Sequence, residues 1–114
     1  MKNPLIALLT DFGEKDFFVA SLKGVILTIN PEARLVDICH SLPPFDIAAG
    51  AFLLSSCFSC FPSGTIFLAV VDPSVGSDRR ILLVEADSHL FIAPDNGLLG
   101  PILEAFLRNQ ATTL

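Results

Sequence analysis

Short apolar runs alternate along this chain with longer segments that carry apolar residues at helical spacing. "PLIALLT", "ARLVDI" and "TIFLAVV" have the length of strands, and residues typical of turns or helix caps bound them. Two segments of helical length, "FFVASLKGVILTI" and "IAAGAFLLSSCF", lie between them. Strands that alternate with helices form βαβ units with right-handed crossovers. The alternation therefore predicts an α/β fold, βαβαβ, with a mostly parallel sheet flanked by helices.

The ends of these elements carry capping and turn residues. We expect Asp16 to cap the first helix, which Asn30-Pro31 ends, and Asp46 to cap the second. "RILLVEA" and "HLFIA" are separated only by Asp87-Ser88, which predicts an added hairpin and hence a mixed sheet. A last helix is expected to start near Pro101.

Length and charge restrict the classes of function. The 114 residues suffice for one domain, and 12 acidic against 7 basic residues give a net charge of −5. Without a basic stripe we expect no nucleic acid partner. No apolar run approaches the roughly 18 residues of a membrane helix, and no secretory signal is visible, so we expect no membrane partner and a cytoplasmic location. The 3 cysteines are expected to be reduced.

Three predicted strands end on the same residue type, in "LLTDFG", "AVVDPSVG" and "FIAPDNG". In an open parallel sheet the carboxyl ends of the strands border the ligand crevice, so Asp11 and Asp72 are expected to converge on one pocket. Asn96, beside the third aspartate, is assigned to the substrate-binding border, although the direction of its hairpin strand is open. Turn formation alone also explains Asp beside Gly or Pro.

The cysteines and histidines support no further site. Cys57 and Cys60 have the spacing of a metal or redox pair, but they lie in an apolar helical pattern and are interpreted as core residues. His40 and His89 are interpreted as structural or solvated rather than catalytic, because neither has a visible nucleophile partner.

The order and spacing of four segments identify a family. "LTDFGEKDFFVASLKGVI", "ICHSLPPFDI", "FPSGTIFLAVVDPSVGSDRR" and "APDNGLL" resemble the S-adenosyl-L-methionine (SAM) hydroxide adenosyltransferases, also called adenosyl-forming SAM hydrolases. The resemblance covers nearly the whole chain. SAM-dependent fluorinases and chlorinases are related enzymes of the same superfamily.

The resemblance implies a reaction and a set of residues. Members of the family attack C5′ of SAM with a water-derived nucleophile, release adenosine and L-methionine, and use an Asp-Arg-His set around that water. Asp72 and Arg79 match the Asp and the Arg, and Asp11 matches the carboxylate that holds the ribose hydroxyls. The other matches to substrate-contacting positions are Asp16, Phe17, Phe18 and Phe45.

Asp72 also separates hydrolysis from halogenation, because the related halogenases carry tyrosine at this position. The SAM sulfonium is already a good leaving group, so the chemical difficulty is to hold a competent, in-line oxygen nucleophile away from bulk water. A fixed Arg79 would favour hydroxide character, and Asp72 would hold Arg79 and orient the water. No metal or cofactor is expected, and SAM is the substrate.

The chain departs from the family pattern in two ways. Ser74 stands where the family usually has glycine. Family members are also longer, and the resemblance implies that the histidine of the set and a C-terminal β-rich domain of a homotrimer lie beyond Leu114. We therefore interpret residues 1–114 as a truncated N-terminal domain that is inactive alone. Two alternatives remain: a non-catalytic nucleoside-binding or interaction module, and, less favoured, a metal-dependent phosphohydrolase.

Overall fold

The computed structural model describes residues 3–72 and 78–113, and for residues 108–113 it describes the backbone only. Within these described residues, five strands form one sheet: β1 (Leu5–Thr10), β2 (Arg34–Cys39), β3 (Ile66–Val70), β4 (Ile81–Ala86) and β5 (His89–Pro94). Their order is β2-β1-β3-β5-β4, with β4 antiparallel to β5 and the other neighbours parallel. The predicted α/β fold and its mixed sheet are confirmed.

In the part of the chain that the structure describes, three α-helices connect or follow the strands: α1 (Phe18–Ile29), α2 (Ile47–Cys57) and α3 (Gly100–Thr113). Asp46 caps α2 as expected, since its Oδ1 accepts a hydrogen bond from the Ala49 amide at 3.0 Å. The prediction that Asp16 caps α1 is wrong. Phe17 holds the cap position, and the Asp16 carboxylate instead accepts a hydrogen bond from the Phe17 amide at 2.7 Å, which leaves the first-turn amides of α1 without this cap.

The hairpin reverses at Asp87 and Ser88, which have φ of 52° and 64°. Two successive residues with positive φ form the tight turn whose twist suits paired strands. The hairpin places β5, rather than β4, beside β3 and parallel to it. Consequently Asp95 and Asn96 follow β5 at the same edge of the sheet as Asp11 and Asp72, which settles the direction that the sequence left open.

One face of the sheet carries the main core, because alternate strand residues pack against α2 and α3. Phe67 and Phe91 stack at its centre with ring centroids 5.1 Å apart. The other core residues are Ala7, Leu9, Leu42, Ala51, Leu54, Ala69, Val71, Ala86, Ala93, Leu98, Leu99 and Ile102. The last of these come from α3 and the turn before it, so α3 closes the core beside α2.

The opposite face of the sheet is covered unevenly. Lys23 of α1 donates to Asp37 at 2.7 Å, and Asp37 lies level with Leu8, so α1 lies on the Leu8 face. Leu8 is fully buried there, but on β4 the exposed fractions of Ile81 and Leu83 are 74% and 69%. Residues paired across strands share a face, and the pairing links Leu8 to Leu83 across the sheet. On this face, burial of the side chains therefore decreases from β1 towards β4. No helix in residues 3–72 and 78–113 is long and apolar enough to cross a membrane.

Candidate active site

Asp72 and Arg79 form an ion pair just beyond the carboxyl end of β3. Arg79 Nε lies 2.9 Å from Asp72 Oδ2, and the Asp72 side chain is almost fully buried. Arg79 Nη1 donates to the Asp95 carbonyl at 3.1 Å, which ties the guanidinium to the end of β5 as well. Two anchors on different strands fix the guanidinium plane, and a partly desolvated pair interacts more strongly than one in water.

Arg79 rather than its neighbour supplies the side chain of this pair, as expected. The structure engages Arg80 through its backbone, since its carbonyl accepts from the Asp95 amide at 2.8 Å. The turn between the two partners, residues 73–77, lies outside the described residues, and with it the expectation concerning Ser74.

Asp11 follows β1 and holds the loop that precedes α2. Its Oδ2 accepts a hydrogen bond from the Phe45 amide at 2.6 Å. Phe45 has φ of 63°, a left-handed conformation that a non-glycine residue adopts at a cost of about 1–3 kcal/mol. This strained backbone turns the Phe45 amide to the carboxylate, and among the described residues nothing donates to Asp11 Oδ1. Asp11 therefore has an oxygen available for a ligand hydroxyl.

Exposed aromatic rings lie near the start of α1. Phe17 and Phe18 are in contact, with ring centroids 5.0 Å apart, and Phe12 meets Phe18 edge to face at 6.3 Å. Phe45, in the loop held by Asp11, is also exposed. Exposed, clustered aromatic rings of this kind suit the stacking of a nucleobase. Asp16, whose carboxylate is engaged by the neighbouring amide, borders the cluster.

Asn96 joins the ends of two strands. Its Nδ2 donates to the Val71 carbonyl at 2.8 Å, and its Oδ1 accepts from the Leu98 amide at 3.1 Å. Both ends of the amide are thus used within the protein, and Val71 is the residue before Asp72. These bonds give Asn96 a role in positioning the end of β3, whereas its assignment to the substrate border stays a prediction.

The sequence did not predict a chain of hydrogen-bonded side chains that begins at Thr10, the residue before Asp11. His40 Nδ1 lies 2.6 Å from Thr10 Oγ1, and His40 Nε2 lies 2.8 Å from Asp37 Oδ1. Burial raises the pKa of the Asp37 carboxyl, but the hydrogen bonds from Lys23 and His40 and the positive charge of Lys23 outweigh burial and hold this pKa below its usual value. The sequence did contain a signal for this contact, since Thr10 and His40 are polar residues at the ends of two adjacent strands.

The remaining histidine and the cysteine pair lie elsewhere. His89 is at the amino end of β5, with its ring nitrogens 2.7 and 3.2 Å from the carbonyls of Asp87 and Phe61. Cys57 is half-buried, and burial, followed by the nearby Cys60, raises the pKa of its thiol. Cys60 is exposed at the end of a 3-10 turn, so its interpretation as a core residue is wrong. The described part of the chain contains no group of three His, Cys, Asp or Glu residues arranged to hold a metal ion.

Two hydrolases and a fluorinase from three organisms are similar to most of this chain. This chain is 42% identical over 97 residues to an (R)-S-adenosyl-L-methionine hydrolase of Salinispora tropica. The aligned region covers 85% of this chain and 37% of that protein. A hydrolase of the same name from Methanocaldococcus jannaschii is 39% identical, over 88% of this chain and 40% of that protein. A fluorinase of Nocardia brasiliensis is 29% identical, over 90% of this chain and 42% of that protein.

Solved structures extend the similarity to the fold. A conserved protein of Thermotoga maritima superposes with a TM-score of 0.85 at 38% identity, covering 89% of this chain and 39% of that one. The chain thus spans about two-fifths of the length of the relatives it matches. Residues 6–114 match the model of the SAM hydroxide adenosyltransferase N-terminal domain. By its sequence and by its fold, this chain belongs to the SAM hydroxide adenosyltransferase family.

Proposed function

We propose that the protein to which these residues belong hydrolyses SAM to adenosine and L-methionine. A water oxygen forms a bond to C5′ while the C5′–S bond breaks, and the electron pair of that bond neutralises the sulfonium as methionine leaves. The water loses one proton to a base or to solvent. The observation that carries this proposal is the Asp72–Arg79 pair, at 2.9 Å, at the strand edge that also holds Asp11.

In this proposal Asp72 and Arg79 act on the nucleophile. The Arg79 positive charge stabilises hydroxide character in the attacking water, and its two anchors allow little reorganisation during the reaction. The Asp72 carboxylate keeps the guanidinium in place and accepts a hydrogen bond from the water, which directs an oxygen lone pair at C5′.

Asp11 and the aromatic rings act on the adenosine. Asp11 Oδ1 accepts from a ribose hydroxyl, as acidic residues do in nucleotide sites, and Phe17, Phe18 and Phe45 contribute apolar contact area. Asp16 lies at the edge of this surface. Support comes from the exposure of the rings and from the held geometry of the Asp11–Phe45 contact.

Hydrolysis is preferred to halide transfer for two reasons. The resemblance places Asp72 where the halogenases carry tyrosine, and a carboxylate there would repel a halide while it accepts hydrogen bonds from water. The identity to hydrolase relatives, 42% and 39%, also exceeds the 29% identity to a fluorinase.

The domain organisation and assembly belong to the same proposal. We infer that residues 1–114 act as an N-terminal α/β unit, that a C-terminal β-rich domain and a homotrimer complete the enzyme, and that these residues alone turn over SAM slowly or not at all. The coverage of about two-fifths of each relative supports this inference. Cytoplasmic location and independence of metals and cofactors stay predictions.

The experiment is an assay of adenosine released from SAM by the 114-residue chain, alone and with the C-terminal domain of a hydrolase relative. In the active combination, Asp72→Asn and Arg79→Lys should lower kcat by about 10²-fold or more, with KM for SAM changed only a few-fold. Arg80→Ala is the matched control, because Arg80 contributes its backbone carbonyl to the site. Equal losses in kcat and in SAM affinity would make the pair a binding or structural element instead.

A non-catalytic binding or interaction module is the second candidate, and one observation favours it. Ile81 and Leu83 expose apolar side chains on β4, as a surface that meets another polypeptide would. Tight calorimetric binding of adenosine without turnover, in the presence of the supplied domain, would favour the module. A metal-dependent phosphohydrolase requires that chelator abolish turnover and that magnesium restore it.

A further inference from the structure

We propose that His40 is a positioning residue that holds the Asp11 loop in its ligand-binding conformation, as the neutral imidazole tautomer with its proton on Nε2. This inference rests on the proposed function in one respect, since the ligand of Asp11 is taken to be the ribose of SAM or adenosine. The conformational part depends only on the hydrogen bonds around His40.

Residues on both sides of Asp11 in the sequence form hydrogen bonds with His40 or Thr10. The Phe12 amide donates to Thr10 Oγ1 at 3.2 Å, and the Gly13 amide donates to the His40 carbonyl at 2.7 Å. The His40 ring in turn contacts Thr10 Oγ1 at 2.6 Å. The residues immediately before and after Asp11 are therefore both tied to His40, directly or through one hydroxyl.

The same histidine begins the loop that Asp11 holds. Phe45, whose amide donates to Asp11 Oδ2 at 2.6 Å, follows His40 in the connection between β2 and α2. The β1 loop and the β2 loop are thus joined at two places, by the hydrogen bonds to His40 and by the Asp11–Phe45 contact. Loosening His40 would free both loops to move relative to each other.

The proton positions follow from which groups can donate. Asp37 Oδ1 is a carboxylate acceptor with a lowered pKa, so His40 Nε2 must carry a proton to bond to it at 2.8 Å. Thr10 Oγ1 already accepts from the Phe12 amide, and Thr10 is fully buried, so its hydroxyl proton needs an acceptor close by. The lone pair on Nδ1 of a neutral ring, 2.6 Å away, is that acceptor.

A doubly protonated ring would break this arrangement. Nδ1 would then donate to Thr10 Oγ1 instead of accepting from it, and the buried hydroxyl proton would lose its acceptor. Lys23, at 2.7 Å from Asp37 Oδ2, supplies the positive charge that balances the Asp37 carboxylate without a charged imidazole. Residue His40 is only 2% exposed, so water cannot readily replace a hydrogen-bond partner that its ring loses.

The test uses four substitutions in the 114-residue chain and one matched control. Thr10→Ser keeps the hydroxyl, whereas Thr10→Val removes it at nearly constant volume. His40→Asn places an amide near the Nδ1 position, and His40→Gln places one near Nε2. His89→Gln is the control, because His89 is also buried but lies at the opposite edge of the sheet. Thermal unfolding identifies variants that fail to fold.

Three measurements read out the proposal: the ring ¹⁵N chemical shifts of His40, the hydrogen exchange of the Gly13 amide, and the adenosine affinity by calorimetry. At neutral pH the ¹⁵N shifts should show a protonated Nε2 and an unprotonated Nδ1. Thr10→Val should accelerate Gly13 exchange and weaken adenosine binding about tenfold, the effect of one buried hydrogen bond, while Thr10→Ser stays within about twofold. His40→Asn should retain more affinity than His40→Gln, and His89→Gln should change neither.

The outcomes separate this inference from the proposed function. If the unchanged chain fails to bind adenosine or SAM even when the C-terminal domain of a hydrolase relative is supplied, the proposed ligand is wrong, and the ring shifts and Gly13 exchange still decide the role of His40. If it binds adenosine but Thr10→Val binds equally well with unchanged Gly13 exchange, the positioning role is refuted. A ring protonated on Nδ1 at neutral pH would refute it as well.

Discussion

Alanine substitution of two helical glycines, one in close contact with the core and one in open space, would test how tightly α2 packs against the core. Gly50 lies in α2, and an added Cβ there would come within 2.9 Å of Leu98 Cδ1 and 3.3 Å of Val71 Cγ2. Gly24 lies in α1, where an added Cβ would meet nothing within 4 Å. Since Val71 directly precedes Asp72, the contact at Gly50 is part of the support of the ion pair.

The same substitution is expected to have different effects at the two positions. Alanine in place of glycine inside a helix stabilises by about 0.5–1 kcal/mol, and Gly24→Ala should show this gain. Gly50→Ala has a similar gain, but Leu98 and Val71 are fully buried and must move, which costs about 1–3 kcal/mol in an overpacked core. The helix propensity largely cancels in the comparison, so Gly50→Ala should be about 1–3 kcal/mol less stable than Gly24→Ala.

Thermal and urea unfolding of the two variants and the unchanged chain would measure this difference. For a domain of this size, 1 kcal/mol corresponds to a shift of about 4 °C in Tm, so the two variants should separate clearly. Equal free energies of unfolding for Gly24→Ala and Gly50→Ala would refute the close approach of α2 to Val71. Gly50→Ser, with a larger side chain, should be at least as unstable as Gly50→Ala.

Three further predictions concern single side chains. Asn96→Asp replaces the donor to the Val71 carbonyl by a carboxylate oxygen and should lower the free energy of unfolding by about 1–3 kcal/mol at neutral pH; Asn96→Ala, which brings no charge, should cost less. Asp37 has a lowered pKa when folded, so its contribution is complete above its unfolded pKa of about 3.9 and is lost as pH falls through the lower folded value. Because Asp37 is partly exposed, the stability gap between the unchanged chain and Asp37→Asn should shrink by at most about 1 kcal/mol between pH 5 and pH 2, and a gap that widened would contradict this. The Cys57 thiol, with its raised pKa and partial burial, should react with iodoacetamide more slowly than Cys60 at pH 7.5, and mass spectrometry of partly alkylated chain would reveal the opposite order.

Much of the fold was predictable, because hydrophobic periodicity records which side of an element is buried. The strands, the Asp46 cap and the Asp87-Ser88 hairpin follow from local residue preferences, and the structure confirms them. The Asp16 cap failed because the carboxylate found a nearer amide, that of Phe17, a choice that depends on the local backbone path. The apolar residues of α1 predicted a helix correctly, yet Val25 and Ile29 remain exposed, since periodicity indicates an apolar side and not what covers it.

The candidate site was predictable only where a strand end determines position. Asp11 and Asp72 follow adjacent parallel strands, so their placement at one edge is a consequence of topology. The roles of His40 and Asn96 depend on hydrogen bonds to residues 30 and 25 positions away in the sequence, and no local pattern encodes such pairs. The positive φ of Phe45 accompanies a hydrogen bond to Asp11, 34 positions away, and the local sequence does not predict it.

The strand order explains why a ligand crevice belongs between β1 and β3. From β1 the chain passes through α1 to β2 on one side, whereas the hairpin that follows β3 extends the sheet on the other side. The helix α1 lies on the Leu8 face, as the Lys23–Asp37 contact shows, and α2 packs on the opposite face with the core. In open α/β sheets, ligands bind outside the carboxyl ends of the strands at the point where the strand order reverses. Asp11 directly follows β1 and Asp72 lies just beyond β3, so the crossover pattern itself places both carboxylates at the edge of the sheet where the proposed function requires them.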